Sequence, residues 1–283
     1  MKRLLFASVL VAVTAWVLAA PAGCQRVPTT GQRAFILLSW DQEIALGREA
    51  VPEMEKEFGG PLEDLSIQAY VRTVGQRVAA SAKNPNIPDL PYQFAVLDSD
   101  VVNAFALPGG PVYVTRGLLS AIRSEGELAA VLGHELAHVH SRHSSQQVSR
   151  QMGIEVLLAA ASAAMSRSEQ GARYATQAED LAKVVGSLVQ LKYSRGMESE
   201  ADRFGLDYLA ASGYDSREMV NLLNVFVSLE GSRPPEFLST HPNPANRVGA
   251  VEEIIRTNYP NRGGRVADEE YRREVLSRLK VGR

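Results

Sequence analysis

Apolar and polar positions follow two different periods along the chain, and the change of period separates helical from strand-forming parts. Apolar side chains recur every three or four residues over 41–58 and again over 61–83, which predicts two amphipathic helices. Between residues 92 and 115 the apolar runs are short and are separated by turn-forming segments at 98–100 and 108–111. These runs predict three strands of a small antiparallel or mixed sheet.

Beyond residue 115 the helical period returns. Ser124 and Glu127 have the spacing of a capping box, which predicts that a helix begins there and carries apolar positions up to Val139. Further helical stretches are predicted over 153–165, 181–191, 198–211 and 216–229, and a polar stretch at 166–178 is a candidate lid. The pattern as a whole predicts one mostly helical α+β domain over residues 41–283, without repeats.

The first 23 residues differ in composition from the rest of the chain. Lys2 and Arg3 precede an uncharged run over 4–20 that ends in small residues, and this pattern predicts a secretory signal peptide. A transmembrane anchor is the alternative, but the run is at the short limit for crossing a bilayer. Residues 24–40, which include Pro28, Thr29, Thr30 and Gly31, are expected to form an extended linker.

Cys24 is the only cysteine, so an intramolecular disulfide is excluded. Ala22, Gly23 and Cys24 resemble the lipobox of bacterial lipoproteins, in which the cysteine is acylated, although Pro21 departs from that pattern. Acylation, with Gln25 in the next position, implies a periplasmic protein anchored to the outer-membrane surface. Plain cleavage after Ala20 or Ala22, without acylation, is the alternative, and it leaves an exported protein without an anchor.

Composition narrows the function classes only slightly. The hydrophobic fraction of 45% and the charged fraction of 22% are those of an ordinary globular protein. A net charge of −2 provides no basic surface, so we expect no nucleic-acid partner.

The sequence HELAH at 134–138 is the strongest chemical signal. His134 and His138 are four residues apart on a predicted helix, so both imidazoles can reach one metal ion. Glu135 lies beside the first ligand, where it can take a proton from a water molecule that zinc has made more acidic. A surface helix with two histidines is the alternative; the apolar neighbours Leu132 and Leu136 argue for a buried helix instead, where unpaired polar groups are costly.

A catalytic zinc needs a third protein ligand. His140 and His143 are close in sequence, but a metzincin pattern would require a histidine where Ser144 stands and a glycine where Ser141 stands. Helical geometry also turns His140 away from the face of the two ligands. We therefore expect His140 and His143 to face solvent or to lie behind the ligands.

Two carboxylates on a later helix provide a better source for the third ligand. Glu198 and Asp202 are four residues apart and share a helix face. One can bind the metal while the other accepts the free ring N–H of a ligand histidine. Acidic residues are also common at solvated helix starts, but together with the two histidines the pattern favours Glu198 as ligand.

With the HExxH and ExxxD motifs, the segments 103–110, 112–119 and 239–242 complete a recognisable set. The set resembles the gluzincin peptidases related to HtpX and the CAAX prenyl proteases, in particular the exported BepA/LoiP-like branch, over about residues 40 to 255. The resemblance implies a zincin-like domain with a small sheet beside the HExxH helix. It also implies one zinc ion held by His134, His138 and Glu198, with Glu135 as general base.

The resemblance implies further roles outside these two motifs. His241 approaches the metal, where it either stabilises the oxyanion or occupies the open position in a latent state, and Arg247 lies near it. Asn103 and Ala104 lie on an edge strand that binds substrate by β-addition. BepA-type proteins carry tetratricopeptide repeats after the protease, and other relatives have membrane-spanning helices; we expect the compact form without either.

The function implied is that of a zinc endopeptidase in the periplasm of the bacterial cell envelope. Its expected substrates are unfolded or misassembled envelope polypeptides, so that it serves quality control. The alternative is a chaperone or assembly factor for outer-membrane proteins with minor or latent proteolysis.

Overall fold

A computed structural model of the chain describes residues 23–165, 191–230, 236–242, 244–260 and 263–281. Three predicted segments lie outside these residues: the signal peptide up to residue 22, the polar stretch at 166–178, and the helix over 181–191 except its last residue.

The described part of the chain is mostly helical with two small sheets, which confirms the predicted α+β class. Its strands are β1 (Cys24–Arg26), β2 (Arg33–Phe35), β3 (Gln93–Leu97), β4 (Ala104–Ala106) and β5 (Pro111–Thr115). The first helices are α1 (Trp40–Glu57), α2 (Leu65–Ser81), α3 (Arg116–Ala121), α4 (Glu125–His140) and α5 (His143–Met165). They are followed by α6 (Arg195–Ala211), α7 (Arg217–Ser228), α8 (Phe237–Thr240), α9 (Pro244–Asn258), α10 (Asp268–Tyr271), a π-helical turn (Arg272–Leu276) and α11 (Ser277–Val281).

A β-hairpin stands where the sequence predicts an extended linker over residues 24–40. Strands β1 and β2 pair antiparallel, with Cys24 opposite Phe35. The buried guanidinium of Arg142, just beyond the end of α4, donates hydrogen bonds to Gln25 Oε1 at 2.6 Å and to Glu43 Oε1 at 2.7 Å. Because a buried charge needs such partners, Arg142 holds the hairpin against the end of α4.

The larger sheet is mixed, which is one of the two alternatives that the sequence predicts. Its strand order is β3-β5-β4, with β3 parallel and β4 antiparallel to the central strand β5. Strand β5 is buried throughout and leads directly into α3, whose first turn is capped by Thr115. This order makes β4 an edge strand, and it lies against α4.

Helix α4 forms the centre of the domain, and all of its residues are buried. It packs against α2, α6, α7 and the mixed sheet, because its apolar side chains are distributed around the whole helix. Ser124 caps it by accepting the amide hydrogen of Glu127 at 3.0 Å, as predicted. The Glu127 carboxylate accepts from the amide of Arg123 at 2.6 Å.

Two glycines allow α4 and α6 to approach closely. A Cβ atom at Gly205 of α6 would lie 3.1 Å from the backbone N and Cα of His134, and one at Gly133 would lie 3.1 Å from the Gly205 carbonyl oxygen. These contacts are tighter than a side chain normally accepts, so the crossing depends on the missing Cβ atoms. The crossing brings the carboxylates of α6 to the histidines of α4.

Among the described residues, no helix has both the length and the hydropathy needed to cross a bilayer.

The start of α4 is held by a buried carboxylate. Glu125 accepts hydrogen bonds from Tyr70 Oη at 2.5 Å, Tyr214 Oη at 2.6 Å, and the guanidinium groups of Arg77 and Arg265, each at 2.8 Å. Burial alone would raise the pKa of Glu125, but the hydrogen bonds outweigh it and hold that pKa at about 2. An ionised Glu125 therefore stabilises the folded state.

We expect Glu125→Gln to destabilise the metal-free protein by about 1–3 kcal/mol at pH 7, since charged hydrogen bonds are lost in a buried site. The pKa of about 2 in the folded state lies below the ordinary value of 4.5, so the stabilisation is present above pH 4.5 and is lost as the pH falls towards 2. Urea unfolding should therefore show that the difference between wild type and variant shrinks between pH 7 and about pH 3.5. A constant or growing difference would contradict this, and exposed Glu253→Gln provides a control with little effect.

Candidate active site

His134 and His138 of the HELAH sequence lie in the middle of α4, and their Nε2 atoms point towards each other. His134, Glu135 and His138 are each 1% exposed. The Nε2 atoms of His134 and His138 are 3.0 Å apart, as their spacing on one helix face requires. The helix therefore presents two imidazole nitrogens to a single point inside the protein.

Glu198 comes to the same point from the first turn of α6. Ser194 caps this helix by accepting the amide hydrogen of Met197, so that the chain turns just before Glu198. Glu198 Oε2 is 3.6 Å from His134 Nε2, and Glu198 Oε1 is 3.5 Å from His138 Nε2. The carboxylate thus lies opposite both imidazoles.

His241 adds a fourth donor from the end of α8. Its Nδ1 is 3.0 Å from Glu198 Oε1 and 3.3 Å from His134 Nε2, and its Nε2 is 3.6 Å from Glu135 Oε1. The ring of Phe237 stacks on the imidazole at 4.3 Å and fixes its orientation. His241 lies between the candidate metal ligands and the candidate base.

This cluster fits a divalent metal ion such as zinc. The donor atoms of His134, His138, Glu198 and His241 all lie within 4.8 Å of one another. Their contacts of 3.0–3.6 Å are close to the roughly 3.3 Å that separates ligands around a tetrahedral zinc ion. Although burial acts to raise the pKa of Glu198, its contacts with His241, His134 and His138 hold that pKa well below 4.5, so this donor is an anionic ligand that suits a cation.

The protonation of the cluster depends on the carboxylates around it. Burial lowers the pKa of His138 well below 6.5 against the opposing effect of Glu198, so this ring is neutral and has a nitrogen free to bind metal. Burial also acts to lower the pKa of His134, but contacts with Asp202 and Glu198 outweigh it and raise that pKa to about 9. A metal ion would displace the extra proton of His134 on binding.

Asp202 and Arg247 support the ligands from behind. Asp202 Oδ1 is 3.0 Å from His134 Nδ1, which fixes the orientation of that ring. Arg247 of α9 donates to Asp202 Oδ1 at 2.5 Å and Oδ2 at 2.8 Å, and its Nη1 is 2.7 Å from Glu198 Oε2. One guanidinium therefore neutralises two buried carboxylates.

A recess with apolar walls opens beside Glu135. Its lining includes Asn103, Tyr193, Thr240 and His241 together with Met54, Phe58, Phe105 and Leu107. Asn103 directly precedes β4, and Ala104 is the buried first residue of that strand. Asn103 Oδ1 and Glu135 Oε1 are both buried without a hydrogen-bond partner. Two residues with unsatisfied polar atoms thus line a recess with mainly apolar walls, which is how many ligand sites are built.

Three further side chains lie near the site. The sequence analysis predicted neither the partners of His140 nor the position of Tyr193, whereas His143 takes one of the two expected positions, behind a ligand. His140 is buried rather than solvent-facing, with hydrogen bonds to Tyr92 Oη at 2.7 Å and Tyr208 Oη at 2.9 Å. His143 is also buried and lies behind His138, at 2.9 Å between their Nδ1 atoms. The ring of Tyr193 packs on His138 at 4.0 Å. No spacing rule signals Tyr193, because it reaches the site from outside any helix.

Cys24 lies away from this chemistry, at the start of β1. It is exposed and forms no disulfide.

A helix that carries HExxH, with a carboxylate from a second helix at its histidines, defines the site of a metallopeptidase. Residues 66–255 match the model of Peptidase family M48, and the chain belongs to that family.

The relatives differ in length from this chain. It is 34% identical over 228 residues to the beta-barrel assembly-enhancing protease of Yersinia pestis. The aligned region covers 78% of this chain and 46% of the Yersinia protein. It is 34% identical over 237 residues to a putative beta-barrel assembly-enhancing protease of Vibrio cholerae, and the aligned region covers 83% of this chain and 48% of that protein. It is 30% identical over 233 residues to the mitochondrial metalloendopeptidase OMA1 of Schizosaccharomyces pombe, and the aligned region covers 81% of this chain and 66% of that protein. The chain spans about half the length of the two bacterial relatives.

We expect Arg247→Leu to destabilise the metal-free protein by about 3–5 kcal/mol, because two buried carboxylates then lose their counter-charge. Urea unfolding in the presence of a chelator measures this. Added zinc should reduce the deficit, since the ion supplies positive charge beside Glu198. Arg256→Leu, which breaks an exposed ion pair with Glu253, is the control and should have little effect. Equal unfolding midpoints for Arg247→Leu and wild type would refute this role.

Proposed function

We propose that the chain is a zinc-dependent endopeptidase of the bacterial cell envelope that hydrolyses misfolded or misassembled envelope proteins. The observation that carries the proposal is the position of Glu135. Its Oε1 is buried without a hydrogen-bond partner beside both the donor cluster and the recess. A metal held only for structure has no use for such a base.

The residues of the site divide the chemistry of hydrolysis between them. His134, His138 and Glu198 would hold the ion, and a bound zinc supplies the Lewis acidity that acidifies water and polarises a carbonyl. Glu135 takes a proton from the attacking water and gives it to the leaving amine. Burial raises the pKa of Glu135 against the opposing effect of His241, which favours the protonated carboxyl that must form when Glu135 takes up the proton of water.

The recess supports an unfolded polypeptide as substrate. Strand β4 is the edge of the mixed sheet, so an extended chain can add to it, with Asn103 and Ala104 at its start. Asn103 Oδ1 would accept a backbone N–H of that chain. The apolar walls from Met54, Phe58 and Phe105 suit the apolar side chains that unfolded proteins expose.

Glu135→Gln should abolish casein cleavage, with a loss of at least about 100-fold, because the amide cannot carry the proton. Zinc content, measured by metal analysis, should stay at one ion per chain. Glu198→Gln is the matched control: it makes the same carboxylate-to-amide change at a ligand and should lose zinc as well as activity. Retained turnover in zinc-loaded Glu135→Gln would refute the assignment of the base.

His241 favours a second candidate function, that of an assembly factor for outer-membrane proteins with latent proteolysis. Its Nδ1 lies among the metal donors, at 3.0 Å from Glu198 Oε1, where it would occupy the position that water needs. Two of the bacterial relatives are named for enhancing β-barrel assembly. Rescue of an envelope-assembly defect by the Glu135→Gln variant would favour this second function over proteolysis.

Under the latent arrangement, His241→Ala should raise casein cleavage by about tenfold or more, since removing a competing ligand opens the site. The variant should also bind zinc more weakly in a chelator competition. A fall in cleavage at saturating zinc would contradict latency and would instead assign His241 to stabilising the oxyanion.

We also propose that the protein is exported to the periplasm and anchored to the outer membrane through acylated Cys24. The exposure of Cys24 supports this, as does the uncharged apolar run over residues 4–20. The mass of the mature N-terminus decides the matter: an unmodified thiol at Cys24 would exclude the anchor.

A further inference from the structure

His143 lies on the side of His138 that faces away from the metal donors. It is the first residue of α5, and Ser141 and Arg142 separate it from the end of α4. Arg142 adopts a left-handed conformation with φ of 56°, which ends one helix and starts the next in a new direction. As a result, the His143 Nδ1 atom is 2.9 Å from His138 Nδ1, and His143 is fully buried.

The contact between the two Nδ1 atoms constrains where the protons are. At 2.9 Å one nitrogen must donate and the other must accept. His138 directs Nε2 to the donor cluster, where that atom must be unprotonated to bind a metal ion. A neutral His138 therefore carries its proton on Nδ1 and donates it to His143. His143 must accept with an unprotonated Nδ1, so its own proton is on Nε2.

A carboxylate faces the other side of His143. Glu200 Oε1 of α6 lies 3.7 Å from His143 Nε2, the atom that must carry the proton. This distance is too long for a direct hydrogen bond, so the carboxylate acts on the buried Nε2 through its charge. Glu200 is held in place by Thr29, whose hydroxyl donates to the same oxygen at 3.0 Å and contacts Ser141 Oγ at 2.8 Å. Glu200 lies on the opposite face of α6 from Glu198 and Asp202, because it is two residues away from each of them along the helix. The same helix therefore provides a carboxylate behind each of the two metal-binding histidines.

We propose that His143 is a positioning residue for the metal site: it accepts the Nδ1 proton of His138 and so fixes the ring with Nε2 free for the ion, while Glu200 keeps His143 in the accepting tautomer. This inference rests on the proposed metallopeptidase function. It gives His138 the same kind of support that Asp202 gives His134, but from a neutral ring. Ligand histidines usually have such a partner on their second nitrogen, and its loss weakens metal binding.

The test compares two substitutions at His143 that differ in hydrogen bonding. Asparagine places its side-chain oxygen close to the position of Nδ1 and can accept the proton of His138, whereas leucine fills the space without accepting. His143→Leu should weaken zinc binding by about 10- to 100-fold in a chelator competition, and His143→Asn should stay within about threefold of wild type. Equal affinities for the two variants, whether weakened or not, would overturn the proposal.

A matched control separates this role from the general effect of losing a buried histidine. His140 is equally buried and hydrogen-bonded, but its partners are Tyr92 and Tyr208 rather than a metal ligand. His140→Leu should lower the urea midpoint of the metal-free protein while leaving its zinc affinity within about threefold of wild type. A loss of affinity as large as that of His143→Leu would show that any damage to this region weakens zinc binding.

Glu200 provides a second test that does not disturb the core, since its side chain is 25% exposed. Glu200→Leu should weaken zinc binding by about three- to tenfold, and Glu200→Gln, which keeps an acceptor oxygen near His143 Nε2 but loses the charge, should weaken it less. Equal affinities for these two variants would show that Glu200 does not hold the tautomer. If wild type itself bound no stoichiometric zinc, the proposed metallopeptidase function would fail. If wild type bound zinc but His143→Leu and His143→Asn bound it equally well, only the positioning role of His143 would fail.

Discussion

The structure depends on the burial of one cluster of charged and polar groups between α4 and α6. Glu198, Asp202 and Arg247 are removed from water together with His134, and each would be costly alone. Arg247 compensates the two carboxylates, and Asp202 compensates His134. The core around them can be apolar because the charges are paired within it.

This pairing also explains the local shape of the fold. The carboxylates reach the histidines only because Gly133 and Gly205 let the two helices touch backbone to backbone. Arg247 reaches the carboxylates from α9, and the ring of Phe237 on α8 orients His241. The later helices thus complete a site whose first half lies on α4. Glu135 Oε1 is left without a hydrogen-bond partner, in a position where it can accept the proton of a reacting water.

The parts of the site that lie within one helix could be predicted from the sequence. His134 and His138 share a face at a spacing of four, as do Glu198 and Asp202, and the structure brings the two pairs together. Ser124 marked the start of α4 because a capping residue acts locally. The mixed sheet followed from short apolar runs between turns. In each case the signal lies within a few residues of the feature it predicts.

The parts that depend on contacts between distant segments could not be predicted. The turn at Arg142 changes the helix direction, so helical spacing counted from His138 gives no guide to where His143 lies. His140 is buried by Tyr92 and Tyr208, which come from other parts of the chain. The hairpin at Cys24–Phe35 depends on its own strand pairing and on Arg142, and the short turn-forming run at 28–31 signals neither.

The central claim is that these buried groups form one metal site. A crystal structure of the zinc-loaded protein, with anomalous scattering measured at the zinc edge, tests it most directly. The account predicts a single peak per chain at about 2.0–2.2 Å from His134 Nε2, His138 Nε2 and a Glu198 oxygen. A protein that bound zinc elsewhere, or that showed no peak at this cluster under saturating zinc, would contradict it.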